Sequence, residues 1–148
     1  MIQKFLLLAV FGLAMGHVEG VSVVYLRKAL GILGLESNAE AIKKLNIPER
    51  YLFIEKTKEV ATIVILATLA SLVGSGWLDK LVVFVWTFAF WNLFYYLSLY
   101  LLIRWPPKLT TTDVLFLIPR PWIAPVWVPI GLSSLAIVII AVFLLRAA

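Results

Sequence analysis

Apolar runs of bilayer-crossing length constrain this 148-residue chain more than any motif in it. A helix rising ~1.5 Å per residue needs about 20 residues to cross a hydrocarbon core ~30 Å thick. Residues 5–26, 81–103 and 127–145 meet that need directly. A fourth run is purely apolar only over residues 60–73, and those 14 residues advance only ~21 Å. Extended back to Arg50 it covers ~35 Å, but Glu55, Lys56, Lys58 and Glu59 then enter the membrane zone. Composition agrees: 63% of residues are hydrophobic and 14% charged, against about 45–50% and about 25% in soluble domains. The expectation is an all-α polytopic membrane protein, a single domain over residues 1–148. Four transmembrane helices, about 5–26, 50–73, 81–103 and 127–145, form a compact bundle.

The connections carry the punctuation. Arg27 and Lys28 close the first span. Lys4, the apolar run and Ala14-Met15-Gly16 also fit a signal peptide. That reading is set aside because apolar character continues to Leu26. Ser37 or Asn38 caps a short amphipathic helix over residues 39–45 in the first cytoplasmic loop. The second long helix is expected to start near Asn46, with Pro48 in its first turn, and to stop at Gly74-Ser75-Gly76. Residues 113–118 read as a short apolar helix or turn with Asp113 as its cap. Pro119, Pro121, Pro125 and Pro129 then break the chain into a lid before the fourth span.

Charge sets the expected orientation. Arg27, Lys28, Lys43, Lys44, Arg50, Lys56, Lys58, Arg104, Lys108 and Arg120 flank one side; Lys4, Lys80 and Arg146 flank the other. Lys and Arg favour the cytoplasm, so both termini are expected outside a prokaryotic inner membrane. The net charge of +5 then serves topology and anionic lipid, not nucleic acid. The chain has no cysteine, which excludes disulfides, thiolate metal sites and Fe–S clusters.

Ionisable residues within the spans are candidates for function, because charge at membrane depth is costly. Counted from Arg27, Glu19 lies ~12 Å deep and His17 ~15 Å. Counted from Arg50, Glu59 lies ~13 Å deep. Counted from Arg104, Tyr95 and Tyr96 lie ~12–14 Å deep and Asn92 ~18 Å. Three helices thus place polar groups in one leaflet, beneath the proline-rich lid. Gly12, Gly16 and Gly20 form a small-xxx-small ridge, and Glu19 lies beside it. Glu55 with Lys58, and Lys56 with Glu59, are i,i+3 pairs that also suit a plain interfacial helix. Asn92 also suits interhelical packing. Glu19 lacks such a reading: it is either protonated or paired with Lys58, Arg27, His17 or a metal.

A transition metal on Glu19, Glu59 and His17 is the sharper alternative. The Glu-x-x-His spacing of di-metal bundles is absent. His17 and Glu19 also point about 200° apart on a helix. A single histidine excludes bis-His haem.

Three motifs carry a resemblance. They are the run from Glu55 to Thr62, Trp91-Asn92-Leu93-Phe94-Tyr95-Tyr96, and Trp105-Pro106-Pro107 with the segment from Asp113 through Pro119-Arg120-Pro121-Trp122. Together they resemble an uncharacterised family of small four-span prokaryotic integral membrane proteins, over most of the chain from Glu55 to Pro129. The resemblance implies the architecture and no reaction. In that pattern an acid follows the tryptophan where this chain has Asn92, so no carboxylate role carries over to that position.

The functional expectation is a membrane protein, or a subunit associating with other membrane subunits or with a second copy. Its polar pocket on the cytoplasmic side would take a ligand, ion or proton. Glu19 and Glu59 carry charge; His17, Asn92, Tyr95 and Tyr96 supply hydrogen bonds; Glu55 is a further candidate; Trp122 closes the pocket. The alternative is a metal-dependent enzyme acting on a lipid or quinone-like substrate. An ion pathway is disfavoured by the apolar half of span two, residues 63–73.

Overall fold

The computed structural model describes residues 1–33 and 48–146. The expected short helix over residues 39–45 and the expected helix start near Asn46 lie outside the described residues. Among the described residues there are four helices: α1 (Ile2–Ala29), α2 (Glu49–Val73), α3 (Trp77–Ile103) and α4 (Trp127–Arg146). Of these, α1, α3 and α4 are long and apolar enough to cross a membrane. Between α3 and α4 lies a hairpin of β1 (Thr112–Phe116) and β2 (Trp122–Pro125).

The helix ends follow local chemistry. Helix α1 ends at Gly31, whose φ of 68° places it in the left-handed region that glycine enters without strain. The following amide, Ile32 N–H, donates back to the Arg27 carbonyl at 2.9 Å, which satisfies one orphan acceptor of the last turn. Helix α2 is preceded by Pro48, with Glu49 in its first turn. Helix α3 ends in Arg104, a left-handed residue at φ 57°, and Pro106-Pro107 prevents continuation.

Helix α3 is the element against which α1, α2 and α4 pack. The α1–α3 seam is the closest. A Cβ on Gly12 would lie 2.7 Å from the Thr87 carbonyl oxygen, and one on Gly20 would lie 2.8 Å from Ser98 Cβ. One on Gly16 would penetrate the shell of the Trp91 carbonyl oxygen. The glycine ridge therefore does what its spacing suggests: it lets two backbones approach. Gly12, Gly16 and Gly20 meet successively later residues of α3, so α1 and α3 run parallel.

Two cores form along this axis. One joins Phe5, Leu8 and Ala9 of α1 to Ala70 of α2, Val83 and Trp86 of α3, and Ile140 and Leu144 of α4. The start of α1 and the end of α4 therefore share one end of the molecule. The other core joins Val23, Tyr96, Leu99, Trp105 and Val126, at the end that carries the hairpin. Leu7, Val64, Leu72, Leu101, Ile139 and Phe143 are among the large apolar side chains left exposed on the helices.

The hairpin corrects the expected helix or turn at 113–118. Val114, Leu115, Phe116, Leu117 and Ile118 are consecutive apolar residues without helical spacing, and Pro119 and Pro121 block a helix beyond them. Asp113 is accordingly a strand residue, not a helix cap. The strands pair antiparallel, Thr112 with Pro125, Asp113 with Ala124 and Val114 with Ile123. An irregularity before Phe116 re-aims the strand's end. Phe116 stacks on Phe88 of α3, with ring centroids 6.3 Å apart.

Candidate functional site

At the hairpin end, α1, α2, α3, α4 and the hairpin line a half-open cavity of about 330 Å³. Helix α1 contributes Glu19, Val23 and Arg27; α2 contributes Glu55, Lys58, Glu59 and Thr62. Phe88, Trp91, Asn92, Tyr95 and Tyr96 of α3 form the floor, with Ser133 of α4 beside them. Asp113, Phe116, Leu117 and Trp122 of the hairpin supply a wall.

Lys58 organises the charged end. Its Nζ lies 2.9 Å from Glu19 Oε1 and 2.7 Å from Glu55 Oε2. These side chains are 16–27% exposed, so the attraction is screened less than at an open surface. One cation between two carboxylates leaves an excess negative charge. Of the partners open to Glu19 from sequence, Lys58 is the one it meets. The i,i+3 pairing of Glu55 with Lys58 forms as well. Lys58 lies as far beyond Arg50 as Glu19 lies before Arg27, eight residues in each case. Equal depth was thus a signal for this pair, although Lys58 did not stand among the expected site residues.

Glu59 does not pair with Lys56. Its carboxylate accepts the Leu117 amide at 2.8 Å and the Ile118 amide at 3.2 Å. Asp113, 2% exposed, accepts the Tyr96 hydroxyl at 3.0 Å and its neighbour's amide, Val114 N–H, at 2.8 Å. Arg27 is 1% exposed, and its guanidinium lies over the Trp105 ring at 4.9 Å and is attracted by Asp113. From sequence, Arg27 reads as the end of a span or a partner of Glu19, and Asp113 as a cap. Asp113 is buried where β1 lies against α3 and Arg27 where it meets Trp105 and the Ile32 carbonyl, contacts that no local pattern announces.

Asn92 lines the cavity, but its amide is committed elsewhere. It donates to the Pro129 carbonyl at 3.1 Å and to Ser133 Oγ at 3.0 Å. It therefore ties α3 to the first turns of α4, the packing role its position also allowed. Tyr95 and Tyr96 both line the cavity, their rings in an edge contact at 4.9 Å. Trp122 lies in the wall, although 58% exposed. Among the described residues, the buried Trp91 Nε1 finds no acceptor.

His17 departs from expectation. It is absent from the cavity wall and lies on the α1–α3 seam, Nδ1 3.2 Å from Ser98 Oγ. The reason is the helical angle that separates it from Glu19. His17, Glu19 and Glu59 thus take three different sets of partners. Among the described residues, no three His, Cys, Asp or Glu side chains converge as a metal site. The expected metal set does not fit this arrangement.

The cavity thus combines an aromatic and aliphatic interior with a charged cluster at one edge. No protein-family model, no curated protein and no solved structure matches the chain.

Proposed function

We propose that this chain is an integral membrane protein whose cavity holds a small amphiphilic molecule taken from the bilayer. The observation that carries this reading is the cavity itself. It measures about 330 Å³, within the ~300–1,000 Å³ usual for small-molecule sites. Its wall joins Val23, Phe88 and Phe116 to the Glu19–Lys58–Glu55 cluster. An apolar tail would occupy the interior and a polar head would meet the charged edge.

Three helices long and apolar enough to cross a membrane support this placement, and α2 is read as the fourth span. The 25 residues of α2 advance ~37 Å, and Val60, Val64 and Leu72 on it are exposed, as a lipid-facing surface requires. Its charged residues gather at the end beside the cavity. The charge bias places that end in the cytoplasmic leaflet of a prokaryotic inner membrane, with both termini outside. The Trp-Asn, Trp-Pro-Pro and Pro-Arg-Pro-Trp motifs resemble those of four-span membrane proteins and are consistent with that reading.

The test is native mass spectrometry of the full chain released from nanodiscs made with bacterial lipid extract. The expected result is a stoichiometric small adduct on the wild type, lost in Val23→Phe, which adds bulk to the cavity wall and removes no charged side chain. No adduct on the wild type, or the same adduct on both proteins, overturns the reading.

A further inference from the structure

The hairpin that walls the cavity is held in two different ways. Along β1, Asp113 near the open end accepts the Tyr96 hydroxyl and Phe116, where the strands join, stacks on Phe88, so the strand is held to α3. At the tip, Ile118, Pro119 and Arg120 are exposed. Leu117 and Ile118 follow β1 and precede Pro119, beyond the ladder residues that pair with β2. Their amides need acceptors from elsewhere, and both find the Glu59 carboxylate of α2. A two-stranded hairpin is only marginally stable alone, so its position depends on such anchors.

We infer that Glu59 is a latch: its carboxylate holds the turn after β1 against α2, over one side of the half-open cavity, and release of the Leu117 and Ile118 amides widens the opening. The regulatory role rests on the reading of the cavity as a ligand site; the latch as a mechanical element does not. The geometry favours a gate over a fixed strut. The carboxylate sits on α2, not on α3, which holds β1. Leu117, beside the tip, lines the cavity together with Phe116 and Trp122, so movement of the tip moves the wall. Glu59 makes these two bonds while the neighbouring Lys58 is taken by Glu19 and Glu55.

The chain has no cysteine, so one introduced thiol reports access. Val23→Cys places it in the cavity wall, at a side chain 8% exposed. In nanodiscs, its modification by N-ethylmaleimide is followed by intact mass, with and without Glu59→Ala. The expected result is at least a tenfold faster reaction, with faster hydrogen exchange at the Leu117 and Ile118 amides. Glu59→Gln is nearly isosteric and preserves folding. Its amide nitrogen faces one of the two donors, so it loses one bond and should react at least threefold faster. Glu49→Ala, at the start of the same helix, should change neither reading. A Val23→Cys rate within twofold of the parent in both Glu59 variants overturns the latch. The adduct measurement is separate: faster labelling with no adduct on any protein leaves the latch standing and removes the ligand reading. An adduct with unchanged labelling does the reverse.

Discussion

Lys58 on α2 reaches Glu19 on α1 across the cavity edge, Nζ to Oε1 2.9 Å, while it also holds Glu55 at 2.7 Å. One ammonium thus pairs with two carboxylates in a partly buried site. Removing it strands both acids. Lys58→Met is expected to destabilise the protein by about 3 kcal/mol, the lower end for breaking a buried pair, since these groups keep some solvent contact. Glu19→Gln leaves the Glu55–Lys58 pair intact and should cost less. Combined, the two changes should cost less than their sum, with a coupling of about 1–2 kcal/mol. Thermal unfolding of the four proteins in one detergent measures it, and strict additivity would show that the pair does not act as a unit.

Gly16 and Gly131 predict opposite responses to the same substitution. A Cβ at Gly16 would enter the shell of the Trp91 carbonyl oxygen, and it would also crowd Tyr95 N, while Gly131 of α4 has open space around the added atom. Gly16→Ala must push α1 away from α3 and should cost about 1–3 kcal/mol, as overpacking does. Gly131→Ala should gain about 0.5–1 kcal/mol from helix propensity. Midpoints of thermal unfolding should therefore move in opposite directions.

Asn92 contributes to packing between α3 and α4 through Pro129 and Ser133. Asn92→Ala should cost about 0.6 kcal/mol and no more than about 1.7, the range for interhelical hydrogen bonds in membranes. Ser133→Ala should cost less, because the Pro129 carbonyl still accepts the amide. The adduct proposed for the cavity should survive both. Its loss in Asn92→Ala alone would assign Asn92 to the ligand.

The amino-acid pattern alone marks out three helices that can cross a membrane, because bilayer thickness sets a length that few soluble segments match. It also determined the Gly12–Gly16–Gly20 seam, since four-residue spacing on a helix is a face by geometry alone. Helix rise likewise brought Glu19, Glu59, Asn92, Tyr95 and Tyr96 to one level, and these residues do line one cavity. The remaining features come from packing between elements. The segment beginning at Asp113 is a strand because Trp122 to Pro125 pairs with it and Phe88 receives Phe116, and a five-residue apolar run does not encode its partner. Which cation Glu19 meets, the seat of His17 against Ser98, the burial of Arg27 with Asp113, and the grip of Glu59 on two turn amides all join residues tens of positions apart. Local pattern gives depth and face; contact between elements depends on how they rotate and fold over one another, and that was settled by packing.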